Sequence, residues 1–99
     1  METRERILQA IFEAIDEVNE ISSGIGLERS TRAQLIGDAS PLDSTSFLTL
    51  AISVEQNLER ILHVPVPVID LIEEIPDTGW TVKDMADRIE QEVTGGVAA

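Results

Sequence analysis

The sequence predicts an all-α fold, a small four-helix bundle with a long loop between helices one and two. Apolar residues recur at helical spacing in three long segments, and no segment shows the apolar–polar alternation of a half-buried strand. The chain has 99 residues, of which 42% are apolar, and this is the size of a single domain. We therefore expect one domain, 1–99, with its core over about residues 4–93.

The first predicted helix spans Thr3–Ile21. Its apolar stripe consists of Ile7, Leu8, Ile11, Phe12, Ile15 and Val18. The polar, glycine-containing segment that follows, up to Pro41, is unusually long for a loop in a compact domain unless its own side chains anchor it. We expect the anchors to be Leu27, Leu35 and Ile36.

The second predicted helix spans Ser44–Leu62. Its inward residues, at spacings of three and four, should be Phe47, Leu50, Ala51, Val54, Leu58, Ile61 and Leu62. The helix cannot continue through Pro65 and Pro67, because proline lacks the N–H donor and forces its predecessor into extended geometry. The single histidine, His63, should be a solvated residue near the end of this helix.

Two further helices complete the prediction. Residues 68–73 are long enough only for a short third helix, whereas Thr81 and Asp84 have the spacing of a capping box at the start of a fourth. Trp80, directly before this box, should pack onto the fourth helix rather than serve as a binding aromatic. Gly95 and Gly96 should end that helix and leave a flexible tail, residues 94–99.

The composition restricts the possible partners. Seven basic and nineteen acidic residues give a net charge of −12, which would repel nucleic acid and anionic membrane surfaces and favour basic patches on other proteins. Cysteine is absent, which excludes a disulfide framework and a cysteine nucleophile. The first residues lack the order of a signal peptide and no apolar run approaches the length of a membrane span, so we expect a cytoplasmic protein. We also expect it to be a monomer.

The sequence does not predict an enzyme. A nucleophilic Ser44 would need a base within hydrogen-bonding distance, and His63 lies nineteen residues further along the same helix, about 28 Å at about 1.5 Å per residue. Glu73, Glu74 and Asp77 lack the spacing of a calcium-binding loop, so we interpret them as a solvated acidic face and expect no metal.

A family resemblance rests on Leu42-Asp43-Ser44, on the long apolar helix after it, on the short third helix and on the closing segment of residues 81–89. In this order the elements resemble the acyl and peptidyl carrier proteins over about residues 4–93, and the chain looks most like a specialised, discrete acyl carrier. In that family the serine of the Asp-Ser motif receives 4'-phosphopantetheine from coenzyme A, and the thiol of this arm carries acyl or aminoacyl groups as thioesters. The resemblance implies that Ser44 is the attachment residue and that Asp43 helps to engage the modifying transferase.

The resemblance also implies partners: a phosphopantetheinyl transferase, and acid-activating ligases, acyltransferases or condensing enzymes of fatty-acid-like, polyketide or other specialised biosynthesis, all with basic docking patches. Thr45 and Ser46 depart from the family, in which a bulky apolar residue usually follows the serine. The alternatives are an aminoacyl or peptidyl carrier, and an acidic interaction module that carries no prosthetic group.

The residue at which the second helix begins determines whether Ser44 lies in its first turn. Asp43 is our preferred N-cap, although Ser40 as cap with Pro41 at the first helical position is also compatible with the sequence. Near the first turn, unpaired N–H groups and the helix dipole would favour a phosphate on Ser44. The comparatively neutral outward face of this helix should consist of Ser46, Thr49, Ser53, Gln56, Asn57 and Arg60. An acyl chain would enter between the second and third helices, at Val66, Val68 and Ile72.

Overall fold

The computed structural model describes residues 2–21, 26–37, 42–76 and 78–98, with the backbone alone at residues 44 and 95–98. Its elements, in chain order, are α1 (Thr3–Ile21), β1 (Gln34–Ile36), α2 (Ser44–Leu62), α3 (Val68–Leu71), a 3₁₀ helix (Ile72–Glu74), β2 (Trp80–Thr81) and α4 (Val82–Ala98). The predicted small helical bundle is confirmed, with the predicted bounds for the first two helices.

The core forms where α1 packs against both α2 and α4, and α3 closes against α2. Five of the seven residues predicted to face inward from α2 are buried, and the other two, Ile61 and Leu62, are half-buried and pack against the core. Burial of this apolar stripe supplies most of the driving force for helix association. In the part of the chain that the structure describes, no helix combines the length and the apolar character needed to cross a membrane.

The start of α4 has the predicted capping box. The Thr81 N–H donates to Oδ2 of Asp84 over 3.0 Å, and the Asp84 N–H donates to Oγ1 of Thr81 over 3.2 Å. Trp80 is only 5% exposed and belongs to the core, which confirms its packing role.

The end of α4 differs from the prediction, because the helix continues through Gly95 and Gly96 to Ala98. Glycine costs a helix about 1 kcal/mol relative to alanine because its backbone loses more conformational entropy, but it keeps both its N–H and its C=O, so the hydrogen-bond ladder can continue through it. The predicted helix end was therefore wrong, and the flexibility of residues 94–99 stays a prediction.

A two-stranded antiparallel sheet was not predicted. β1 pairs with β2, with Gln34 opposite Thr81 and Ile36 opposite Trp80. Gly79, directly before β2, has φ +91°, and a Cβ at this position would collide with the carbonyl oxygen of Ile36. Glycine is therefore required where the two strands approach each other.

The long loop between α1 and α2 is anchored as predicted. Leu35 is fully buried, Leu27 is buried and Ile36 is half-buried. The Asn19 side chain holds the backbone of Leu27 at both ends: Nδ2 donates to the Leu27 carbonyl and Oδ1 accepts from the Leu27 N–H, each over 2.9 Å. These contacts explain how a polar segment of this length remains part of a compact fold.

The same loop also caps α4. The carbonyl of Ala33 accepts the N–H of Val82 over 2.9 Å, and the carbonyl of Thr31 accepts the N–H of Lys83 over 3.0 Å. These N–H groups belong to the first turn of α4, where no intrahelical partner exists. The loop, β1 and the start of α4 therefore form one hydrogen-bonded unit.

Candidate functional site

The candidate site lies at the start of α2, where Asp43 is the N-cap. Its backbone is extended, with φ −84° and ψ 179°, and its Oδ1 accepts the N–H of Ser46 over 2.7 Å. The Asp43 carbonyl accepts the N–H of Phe47 over 2.9 Å, which is the first backbone bond of the helix. The preferred start of the helix is confirmed, and Ser44 is the first helical residue. Ser40 and Pro41, on which the alternative start depended, lie outside the described residues.

The electrostatics of this helix end differ from the sequence-based expectation. The hydrogen bond from the Ser46 N–H holds the pKa of the Asp43 carboxyl below its ordinary value, with a smaller contribution from the Ser46 side chain. Asp43 therefore carries a full negative charge at neutral pH. It also occupies the Ser46 N–H, one of the first-turn donors that we expected to be unpaired and to favour a phosphate. A second anion at residue 44 would lie beside this carboxylate.

Basic side chains do not compensate for this charge within the described part of the chain. Of its cations, five take part in ion pairs: Arg4, Arg29, Arg60, Lys83 and Arg88. The single cation of α2, Arg60, is in the last turn of the helix and pairs with Glu13 over 2.6 Å. The cation of α2 therefore lies at the far end of the helix from Asp43 and does not offset its charge.

A cleft of about 180 Å³ adjoins the first turn of α2. Its lining residues are Val18 and Ile21 from the end of α1, and Thr45, Ser46 and Thr49 from the start of α2. Ile21 is 65% exposed, the most exposed of the large apolar side chains in the described part of the chain. The cleft was not predicted from the sequence, because its walls come from two helices that the long loop separates. An apolar residue at the very end of α1, Ile21, was the one sequence feature that could have indicated it.

The residues predicted to line an acyl site between α2 and α3 lie in the core or against it, and an acyl site there stays a prediction. Val66 and Val68 are 3% and 0% exposed and belong to the core. Ile72 is half-buried and also packs against the core. The cleft described above, which adjoins the first turn of α2, lies between α1 and α2 and not between α2 and α3.

The prediction for the outward face of α2 is correct at some positions and wrong at others. Thr49, Gln56 and Arg60 are exposed as predicted, and Ser46 is half-buried. Two positions predicted to face outward contact α1 instead, namely Ser53 and Asn57. The Ser53 hydroxyl donates to Oε2 of Glu17 over 2.6 Å, and Nδ2 of Asn57 donates to the Ala10 carbonyl over 3.1 Å. A polar residue can face a neighbouring helix when that helix supplies the acceptor.

Large apolar side chains occupy part of the outer surface of α2. Leu48 and Ile52 are 45% and 48% exposed and lie one turn apart, beginning one turn after Ser44. Ile69 of α3 is 37% exposed, and its N–H approaches Oε1 of Glu55 at 3.4 Å, which places it beside the same region of α2. We call Leu48, Ile52 and Ile69 the apolar face.

His63 lies at the opposite end of α2 from Ser44. It is exposed, as predicted, and ends the helix in the left-handed conformation, φ +60°, with its N–H donating to the Glu59 carbonyl over 2.9 Å. Because α2 is continuous over 19 residues, the two ends are about 28 Å apart at about 1.5 Å per residue. His63 therefore cannot activate Ser44 within one chain.

The acidic residues after α3 are only partly described. Glu74 accepts two hydrogen bonds from Arg88, over 2.8 and 3.2 Å, and Glu73 is exposed. Asp77 lies outside the described residues. Within the described ranges, acidic and histidine side chains form no group of three that could hold a metal ion.

Comparisons of this chain with protein-family models, with curated proteins and with solved structures find no match.

Proposed function

We propose that this protein is a specialised acyl carrier protein that acts as a cytoplasmic monomer, with a 4'-phosphopantetheine arm on Ser44 that carries acyl groups as thioesters. One observation carries the proposal: Ser44 is the first residue of a long α2, between an exposed N-cap, Asp43, and an exposed Thr45. A modifying enzyme would approach residue 44 between these two exposed neighbours, at a helix start that the Asp43 cap fixes.

The residues around this position are compatible with such an arm. The helix terminus favours a phosphate, although Asp43 takes one donor and adds a negative charge nearby. A covalent bond retains the arm, so no ionic pocket is needed to hold it. The cleft beside Thr45 and Ser46 offers apolar contact next to the attachment point.

A pantetheine arm would supply the thiol that this cysteine-free chain lacks. On loading, the Ser44 oxygen would bond to phosphorus, the phosphoanhydride bond of coenzyme A would break, and adenosine bisphosphate would leave. The serine proton needs a base. Asp43 is a weak one because hydrogen bonding lowers its pKa, and His63 is too distant. The base must therefore belong to the transferase.

The apolar face, Leu48, Ile52 and Ile69, is the surface that we expect partners to contact on α2 and α3. Glu55 and Glu59 lie on the same helix and would attract basic groups around an apolar contact. Partners of this carrier would be a phosphopantetheinyl transferase and acid-activating, acyltransferring or condensing enzymes of fatty-acid-like, polyketide or other specialised biosynthesis.

An aminoacyl or peptidyl carrier uses the same attachment chemistry and differs only in cargo. The second candidate from another class is an acidic interaction module without an arm. The capping bond of Asp43 favours this candidate, because it gives Asp43 a structural role that needs no transferase.

Incubation of the chain with coenzyme A and a broad-specificity phosphopantetheinyl transferase, followed by intact mass measurement, tests the proposal. We expect a gain of one phosphopantetheine in the wild type and in Ser46→Ala, which removes a neighbouring hydroxyl, but no gain in Ser44→Ala. Circular dichroism checks that each variant is folded. A folded wild type that gains no mass, or a Ser44→Ala variant that does, contradicts the proposal.

A further inference from the structure

The cleft between the end of α1 and the start of α2 has apolar side chains on its α1 side and hydroxyl-bearing side chains on its α2 side. Val18, 2% exposed, forms its buried side, and Ile21, 65% exposed, forms its outer edge. The Thr49 hydroxyl already donates to the Thr45 carbonyl over 3.1 Å, so its proton is used within α2. Val18 and Ile21 therefore provide the main contact that the cleft offers to an apolar group.

The volume of the cleft limits what it can hold. A cavity of about 150 Å³ lined by apolar side chains binds a molecule the size of benzene. At about 180 Å³, the cleft is therefore suited to a group of about six carbons and is too small for a long fatty chain.

The position of the cleft points to its occupant. Two of its lining residues, Thr45 and Ser46, directly follow Ser44. A group tethered at residue 44 would be present at an effective concentration in the millimolar range. This concentration is enough to fill a site whose affinity for the same group is too low for binding from dilute solution.

We infer that this cleft binds the apolar end of a short acyl group, of about six carbons or fewer, carried on the Ser44 arm. This inference rests on the proposed carrier function and adds to it a cargo class and a binding site. An aminoacyl cargo is disfavoured, because burying its charged amine against Val18 and Ile21 would cost desolvation free energy. Thr49 is exposed and lines the cleft, so a larger side chain at this position would reduce the volume of the cleft.

The test loads the full chain from hexanoyl-coenzyme A with a broad-specificity transferase, confirms loading by intact mass, and records nuclear Overhauser contacts of the hexanoyl group. We expect contacts to the methyl groups of Val18 and Ile21. Thr49→Trp, which fills the cleft from an exposed position, should abolish them. Gln56→Trp adds the same ring at an exposed position of α2, outside both the cleft and the apolar face, and should preserve them.

The inference is overturned if a loaded chain shows no contacts to Val18 and Ile21, or if the contacts persist in Thr49→Trp. A chain that does not load refutes the carrier function, and the cleft is then tested with free hexanoyl-pantetheine at a millimolar concentration, which matches the effective concentration of a tethered group. Methyl shifts at Val18 and Ile21 that are lost in Thr49→Trp would support the binding site alone, whereas unchanged methyl signals would overturn it.

Discussion

The backbone N–H of Ser46 donates a 2.7 Å hydrogen bond to Oδ1 of Asp43, across the residue at which we propose a prosthetic group. This bond fixes where α2 begins and so makes Ser44 its first residue. It also gives Asp43 a structural role that is independent of any transferase. The two roles are separable by substitution, because asparagine keeps the capping acceptor and alanine does not.

At neutral pH we expect Asp43→Ala to lower the melting temperature most, and Asp43→Asn to lower it by less because it keeps the capping acceptor. The folded-state pKa of Asp43 is lowered, so the contribution of its charge is present above the unfolded value of about 3.9 and is lost as the pH falls through the folded value. The stability advantage of the wild type over Asp43→Asn should therefore shrink in acid. A difference that is independent of pH between neutrality and acid would contradict this assignment.

Asn19→Ala should release the loop from α1. Two hydrogen bonds to the Leu27 backbone disappear, at about 1 kcal/mol each, so the free energy of unfolding should fall by about 2 kcal/mol. Amide exchange at Leu27 should accelerate by more than exchange within α2. Gln9→Ala, which removes an exposed bond to Glu13 on the same helix, is the matched control and should leave Leu27 unchanged. Equal exchange at Leu27 in all three proteins would refute the anchoring role.

Gly79→Ala should separate β1 from β2, because the new methyl group would meet the carbonyl oxygen of Ile36. We expect a loss of about 2 kcal/mol or more in unfolding free energy, from backbone strain and the displaced strand. Gly26→Ala is the control, since φ there is also positive, at +60°, but apart from its chain neighbours no described residue has an atom within 4 Å of the added Cβ. It should cost about 1 kcal/mol. Equal losses in denaturant titrations of the two variants would show that contact with Ile36 is unimportant.

Leu48→Ala and Ile52→Ala should slow transfer of the pantetheine arm while leaving the fold intact, because both side chains are about half exposed and belong to the apolar face. Truncating an apolar anchor at an interface typically costs more than 1 kcal/mol, so we expect about a fivefold or greater loss in kcat/KM of a phosphopantetheinyl transferase. Val64→Ala, 42% exposed beyond the far end of α2, should be modified at the wild-type rate. Equal rates for all three variants would remove the apolar face from the docking surface.

The helices were predictable because each carries its own signals. The apolar periodicity of α1 and α2 repeats over 19 residues, and the capping box at Thr81 and Asp84 is local in sequence. The pairing of β1 with β2 was not predictable in this way. It joins residues more than forty positions apart, and strands of three and two residues are too short to show an alternating pattern.

The candidate site was predictable only in part. Asp43 and Ser44 were identified from a short string and lie where the string implied, at the cap and first residue of α2. The inward positions of Ser53 and Asn57 were missed because their acceptors belong to α1, which the pattern of α2 alone does not reveal. The cleft was missed for the same reason, since packing of two distant helix ends creates it.

Mass spectrometry of the chain isolated from the cells that make it is the most direct test of the central claim. The carrier account predicts a population heavier than the sequence by one phosphopantetheine, with fragment ions that place the addition on Ser44. A chain that carries no addition at Ser44 when isolated under conditions that preserve phosphodiesters would contradict the account and favour the interaction module.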